Sequence, residues 1–383
     1  MKAVKAGIIY VGKPGKIVKN AYVIWENSVL KGISKKTPKD AEIIGESKKY
    51  VITPAFIDAH CHIGMHRAGE PSEEGEANEK LDSILPHVDA LYSIYMDDES
   101  FKESIEWGVL YSCVLPGSGN IIGGKGVVIR NYARNIEEAY IKHAGVKAAL
   151  GFNPRRTTDW KGSRPYTRMG SIGIFRKWLI KAKDAMKLIK EGKKVEEEFD
   201  PELRMLFPIV KGEEDLRVHV HKEDDIMGLL MLRKEFGLKI VIDHACDVHS
   251  KEIFERIKKE NIPLVYGPID AFPYKTELRH ERWKNVKYLV EVRPFFGLMS
   301  DHPVVLQRNL YLQLRFFLKY GMGKEEALSI ITLNNAKILN IDNNLGSLEK
   351  GKWASFIVWN NDPFALGSSP KLVVAEGKTV YKE

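Results

Sequence analysis

The sequence predicts a (β/α)8 barrel flanked by a small β domain built from both chain ends. Three observations predict it. Between about residue 50 and residue 342, short β-type runs alternate with helical stretches. The two chain ends carry β-type runs without helical periodicity. Histidines and one aspartate fall at the C-terminal ends of the predicted strands, the face on which a barrel enzyme builds its site.

At the N-terminus, "AGIIYVG", "AYVIWENSVL" and "YVITPAF" are separated by Gly12, Pro14, Gly15 and Asn27, a pattern that predicts hairpins. "ASFIVWNND" and "KLVVAEGKTVYKE" repeat it at the C-terminus. Residues 1–50 and 343–383 are therefore expected to form one discontinuous domain, with the barrel over 51–342. The candidate barrel strands are "VITPAFIDAH", "GVLYSCVLP", "GVVIRN", "HAGVKAALG", "LRVHVHK", "LKIVIDHA", "IPLVYGP" and "FFGLMSDHP", of which the third has the weakest pattern. Candidate helices cover 223–237, with Leu229, Leu230, Leu232 and Phe236 on one face, then 250–260 and 303–320. Residues 153–215 read as an insertion with an amphipathic helix at about 171–198. A connection this long is a lid over a site or a decoration of the rim.

The 383 residues are 44% hydrophobic and 29% charged, ample for a large core. The net charge of +8 is spread along the chain, and clusters such as Lys190, Lys193 and Lys194 are followed by Glu196, Glu197 and Glu198. No basic stripe with interleaved aromatics occurs, which argues against a nucleic-acid partner. Cys61, Cys113 and Cys246 are too few and too scattered for a disulfide scaffold. No apolar run has the length of a membrane span, and the N-terminus lacks a signal-type apolar region. A cytoplasmic protein without a membrane partner is expected; a homo-oligomer is compatible with the sequence. Gln307 and Gln313 are the only glutamines beside abundant Lys and Glu, a composition frequent in hyperthermophiles.

In "VITPAFIDAHCHIG" the alternation of a strand places His60 and His62 on one face, with Cys61 on the other. Two neutral imidazoles on one face suit a divalent metal. A single His-x-His is weak by itself. The predicted fifth strand, however, ends in His219 and His221, the sixth in His244, and the eighth in Asp301 followed by His302. A scatter of eleven histidines has no reason to favour strand ends, so the repeated placement predicts a metal centre.

"TPAFIDAHCH", "VHVHKEDD", "VIDHA", "MSDHPV" and "GSLEKGKWASFIVWNNDPF", in this order, resemble the amidohydrolase superfamily in its imidazolonepropionase- and prolidase-like branch. The resemblance spans nearly the whole chain. It implies a (β/α)8 barrel, a small β-sandwich from both termini, one or two divalent metals, most often Zn2+, and hydrolysis of C–N bonds. It matches His60, His62, His221 and His244 to metal ligands and Asp301 to the ligand and proton carrier after the eighth strand. His219, on the same strand face as His221, substitutes as ligand or packs in the interior beside the substrate. In the fourth strand Lys147 matches the lysine that, carbamylated, bridges two metals; the alternative is a lysine that snorkels to a rim carboxylate. The chain departs from the resemblance at Phe152, where relatives often carry Glu, at Ala55 in place of Gly, and at Trp353 and Ala354 in place of acidic residues.

The implied reaction is attack on a small-molecule amide by a metal-bound hydroxide, since bound Zn2+ lowers the pKa of water to about 7. Asp301 accepts the proton of the nucleophile and delivers it to the leaving nitrogen. Asp58, two residues before His60, is a candidate to orient a ligand. Arg164 and Arg168, in "RPYTRMG", are candidates to hold a substrate carboxylate or to form surface ion pairs. His66 is expected at the pocket or its rim. The Gly-rich "LPGSGNIIGGKG" lacks the spacing of a phosphate loop. The expected substrate is an N-acyl amino acid, a dipeptide or a cyclic amide. A deaminase of a cyclic amidine and a catalytically silent binding barrel are the alternatives.

Overall fold

The chain ends form strands because β-branched and aromatic residues alternate there between tight turns, and they meet in one sheet. The computed structural model describes residues 1–156 and 162–383. Its strands are β1 (Lys2–Tyr10), β2 (Ile17–Glu26), β3 (Val29–Ser34), β4 (Glu42–Pro54), β5 (Phe56–Cys61), β6 (Val109–Val114), β7 (Ile122–Arg130), β8 (Tyr140–Ala149), β9 (Leu216–Val220), β10 (Ile240–His244), β11 (Leu264–Tyr266), β12 (Phe296–Leu298), β13 (Phe356–Trp359), β14 (Pro370–Ala375) and β15 (Lys378–Lys382). The terminal sheet has the order β15-β14-β13-β4-β1-β2-β3. All seven strands are hydrogen-bonded in that single order, which joins the two chain ends. One face buries Val4, Ala21, Val23, Trp25, Phe356 and Val374 together.

The long apolar run 51–60 divides at Ala55. Val51–Pro54 complete β4 and pair antiparallel with β13, Thr53 opposite Ile357. Only from Phe56 does the chain enter the second sheet. An apolar run alone does not reveal such a handover, because both sheets bury it.

The second sheet has eight strands, ordered β5 to β12, in a nearly closed barrel. Helices follow most strands: Glu99–Glu106 leads to β6, Arg168–Lys190 to β9, Glu223–Phe236 to β10, Lys251–Lys259 to β11 and Val286–Val292 to β12. These crossovers make the flanking pairs parallel. The third strand departs from the expectation of eight parallel strands. β7 runs antiparallel to both β6 and β8. The connection Leu115–Ile121 is too short for a parallel crossover, which takes about a dozen residues or more, so the chain turns back on itself. In the insertion expected over 153–215, the helix expected at about 171–198 is Arg168–Lys190, capped by the Thr167 side chain on Gly170 N–H; residues 157–161 lie outside the described residues.

The barrel seam lies between β5 and β12. There the Asn335 side chain donates to the carbonyls of Ile57 (2.6 Å) and Leu298 (2.8 Å) and accepts from Leu298 N–H (3.1 Å). Past the strand ends, Asp301 N–H donates to His60 O and His62 N–H to His302 O. The seam therefore continues into the segments that carry the predicted ligands. No helix among the described residues is long and apolar enough to cross a membrane.

Candidate metal centre

Strand alternation fills the barrel interior with charge at one end. On β9, Leu216, Val218 and Val220 face the outer core, so Arg217 and His219 face inward, with His221 next in the same register. On β8, Val146 and Ala148 face the outer core and Lys147 faces inward. On β10, Val241 packs inside with Ala59, Val265 and Met299, and Asp243 shares its face. His244 would leave the interior by the same alternation. Its φ of 81°, followed by 56° at Ala245, ends the strand there, and Asp301 has φ 52°. Left-handed backbone at a non-glycine residue costs about 1–3 kcal/mol and collects at functional sites.

Two ligand triads result and share His244. The first is His60, His244 and Asp301; the second is His219, His221 and His244; in each, the donor atoms lie within 4.8 Å of one another. The ring centroids of His219, His221 and His244 are 4.3–4.7 Å apart, and those of His60 and His62 are 5.4 Å apart. His62 Nδ1 lies 2.7 Å from Leu115 O and His244 Nδ1 2.9 Å from Gly267 O. A carbonyl only accepts, so both rings carry the proton on Nδ1 and turn an Nε2 lone pair inward. Asp301 Oδ1 stands 3.3 Å from His62 Nε2 and 3.6 Å from His60 Nε2. Acceptors thus face acceptors in a largely buried pocket, an arrangement that a cation between them turns from repulsive to favourable. The spacing suits the donor set: ligand distances of 2.0–2.2 Å in a tetrahedron give edges of about 3.4 Å.

The electrostatics agree. Burial first, then the charge of Lys147, drives His60 well below the ordinary imidazole value. Burial and His221 do the same to His219, and burial and His219 to His244. Burial lowers His221 to about 3. All four are neutral bases, the form that binds metal. Burial pushes Asp301 up, yet it is held below the usual carboxylate value, with the Lys147 cation among the groups that hold it there. Burial brings the Lys147 amine down to about 8, and its Nζ donates to His60 Nε2 at 3.0 Å.

Behind these groups lie residues that the sequence pattern did not single out. Asp243 Oδ2 approaches His60 Nδ1 at 3.4 Å. Arg217 holds that carboxylate with two hydrogen bonds, of 3.2 and 2.6 Å. Asp58, the expected orienting group, instead accepts from the backbone of His60 and Ser300, the Ser300 hydroxyl and Gln307 Nε2. It braces the seam, and Asp243 is the carboxylate at the His60 ring. Glu277, 2% exposed, reaches His219 Nε2 at 3.5 Å and His221 Nε2 at 4.0 Å. Arg217 had a sequence signal, two residues before His219 on the same face. Glu277 had none, because it sits on an aperiodic connection.

Other expected site residues lie elsewhere. Arg168 donates Nε to buried Asp225 Oδ1 at 2.5 Å. Arg164 donates to the Ser83 hydroxyl at 3.2 Å and to Lys80 O at 3.4 Å. His66 lines a cavity of 290 Å3 with His302 and Leu306. A larger cavity of 360 Å3, lined by Met65, Glu73, Asn78 and Asp89 among others, has none of the cluster histidines in its wall. A third donor group, Asp247, His249 and His280, has two half-exposed imidazoles and lies outside the interior.

The sequence pattern of the Amidohydrolase family matches residues 212–380. The crystal structure of an amidohydrolase from Thermotoga maritima superposes with a TM-score of 0.92 at 31% identity, covering 100% of both chains. Amidohydrolase tasK from Hapsidospora irregularis is 25% identical over 373 residues, 90% of this chain; the chain spans 38% of that relative's length. An imidazolonepropionase from Picrophilus torridus is 23% identical over 371 residues, 91% of this chain and 88% of that one.

Proposed function

Because the chain belongs to the amidohydrolase family of hydrolases acting on C–N bonds, we propose that it hydrolyses the C–N bond of a small amide with one or two divalent cations, Zn2+ foremost. We read the nearly closed sheet as a (β/α)8 barrel whose third strand is inverted, and its polar end as the active site. The observation that carries this reading is the set of inward Nε2 lone pairs facing Asp301 across 3.3–3.6 Å. Substrate candidates are a cyclic amide, an N-acyl amino acid or a dipeptide. The cyclic amide is favoured by the imidazolonepropionase relative, since an imidazolone is itself a cyclic amide.

The residues that would hold metal are His60, His62, His244 and Asp301, with His221 and His219 on the far side of His244. When bound, a divalent cation supplies Lewis-acid polarisation of the scissile carbonyl and acidifies water. Asp301 takes the proton of the attacking water on its carboxylate and returns it to the leaving nitrogen. Leu115 O and Gly267 O fix the tautomers of His62 and His244. Asp243, held by Arg217, stands 3.4 Å from His60 Nδ1, the place from which a carboxylate commonly orients a ligand histidine. Lys147, its amine lowered to about 8, would as the free base react with CO2, releasing one proton and leaving a carbamate, an anion able to hold a metal. Recognition of a substrate carboxylate by Arg168 requires the substrate to displace Asp225.

Metal analysis of the purified protein, followed by a screen of dipeptides, N-acyl amino acids and lactams, tests the reading. Chelation is expected to abolish hydrolysis, and Zn2+, Mn2+ or Co2+ to restore it. Hydrolysis that persists at full rate in the chelated protein would sink it. Ammonia released from a cyclic amidine would favour the deaminase. Lys147→Ala is expected to lower metal content from about two toward one per chain; one metal with and without the change makes Lys147 structural.

A further inference from the structure

Glu277 lies on the connection between β11 and β12. Its Oε2 accepts Phe152 N–H at 2.8 Å, which fixes the carboxylate and aims Oε1 at the histidines. Oε1 is 3.5 Å from His219 Nε2 and 4.0 Å from His221 Nε2. Neither Oε1 nor His219 Nε2 has a hydrogen-bond partner among the described residues, and both are buried. A buried imidazole nitrogen left without a partner beside a carboxylate oxygen is costly, so the site is built for something that arrives between them. Lys275 Nζ stands 3.0 Å from Oε1 on a side chain 8% exposed; it also donates to Asn153 Oδ1 at 3.2 Å. It balances the carboxylate charge. Gly151 leaves room for the arrangement: its φ is 89°, and a Cβ there would sit 2.6 Å from Glu277 Oε2.

We propose that Glu277 is a metal ligand, joining His219 and His221 through Oε1, with Lys275 as its counter-charge while the cation is absent. This adds to the ligand set above and rests on the reading that the cluster holds a divalent cation. A carboxylate with two imidazoles suits Zn2+ or Co2+. The competing account makes Glu277 the partner of Lys275 that pins the connection to β8, without contact to metal.

The full chain, freed of metal, is titrated with Co2+ while bound metal is measured by equilibrium dialysis and coordination by the visible d–d bands. Wild type is expected to bind Co2+ tightly. Glu277→Gln keeps the shape and the Phe152 contact; it is expected to weaken binding at this position about 100-fold, the upper range for a group that orients or contacts a metal, and to alter the bands. Glu277→Asp, which withdraws the carboxylate by one methylene, is expected to fall between and serves if the Gln variant does not fold. Wild-type stoichiometry, affinity and bands in the folded variants, with only a lower melting temperature, would overturn the assignment while leaving the metal reading intact. Wild type that binds no Co2+ would overturn both.

Discussion

Asp301 combines three features at one residue: left-handed backbone, a mostly buried carboxylate, and an Oδ1 shared by the Nε2 atoms of His60 and His62. Asp301→Asn keeps the size and an oxygen that reaches a metal but cannot accept a proton near neutral pH. Near-normal metal content is expected, with kcat lower by roughly 10² to 10⁴, the usual worth of a positioned base. Turnover close to wild type, with only a lower melting temperature, would make Asp301 structural. Arg168, open in the sequence between an anion anchor and an ion pair, pairs with Asp225 in the fold. Asp225 is 7% exposed and its Oδ2 already lacks a partner among the described residues. Arg168→Met strips its other oxygen, so a stability loss of roughly 1–3 kcal/mol is expected, read from denaturant midpoints. A raised KM for acidic substrates at unchanged stability would restore the anchor.

At the scale of elements, the seam between β5 and β12 depends on Asn335, whose amide serves three backbone groups. Gly297 leaves space for it; a Cβ there would lie 1.8 Å from Asn335 Oδ1. Asn335→Ala and Gly297→Ala are each expected to lower the melting temperature by several degrees and to reduce metal affinity together with it, because the same seam positions His60 against Asp301. Metal affinity unchanged in a clearly destabilised variant would uncouple the two. Asn335 was not legible in the sequence: it is one asparagine in a helical stretch, and its partners come from strands far away in the chain. His60, His62, His219, His221, His244 and Asp301 were legible, because strand alternation and strand ends are local. β7 was legible as a strand but not in its direction, which the short Leu115–Ile121 connection decides. Glu277 and Asp243 were hidden for opposite reasons. The first lies on a connection with no period. The second precedes His244 by one residue, so alternation assigns it to the other face until the left-handed turn at His244 is known.

On the scale of the whole molecule, the site makes stability depend on pH. In the metal-free chain His60, His219, His221 and His244 are held uncharged, chiefly by burial, whereas unfolded imidazoles titrate near pH 6.5. A depressed folded value contributes stability above the unfolded pKa and loses it as the pH falls. Two carboxylates oppose this. Burial raises Asp58 to about 6, and burial with the charge of Asp247 raises Glu281 to about 7. Between pH 6 and 5 they hold protons in the fold that unfolding releases. Burial lowers His302 to about 4 as well, so five imidazoles against two carboxylates leave about three protons taken up on unfolding. Stability is then expected to fall by roughly 4 kcal/mol for each unit of acidification in this window. Saturating Zn2+ adds stability at neutral pH, about 4 kcal/mol at 1,000 times its Kd. Because the cluster imidazoles stay uncharged in the fold down to pH 5, protons do not compete with the metal for their Nε2 atoms, and that gain is expected to persist across the window. Urea midpoints of chelated and Zn2+-loaded protein from pH 7 to 5 test both parts: the two curves should descend together, the loaded one staying above. A flat or rising profile for the chelated protein would mean that the imidazoles are protonated within the fold, and the neutral metal-binding cluster would be wrong.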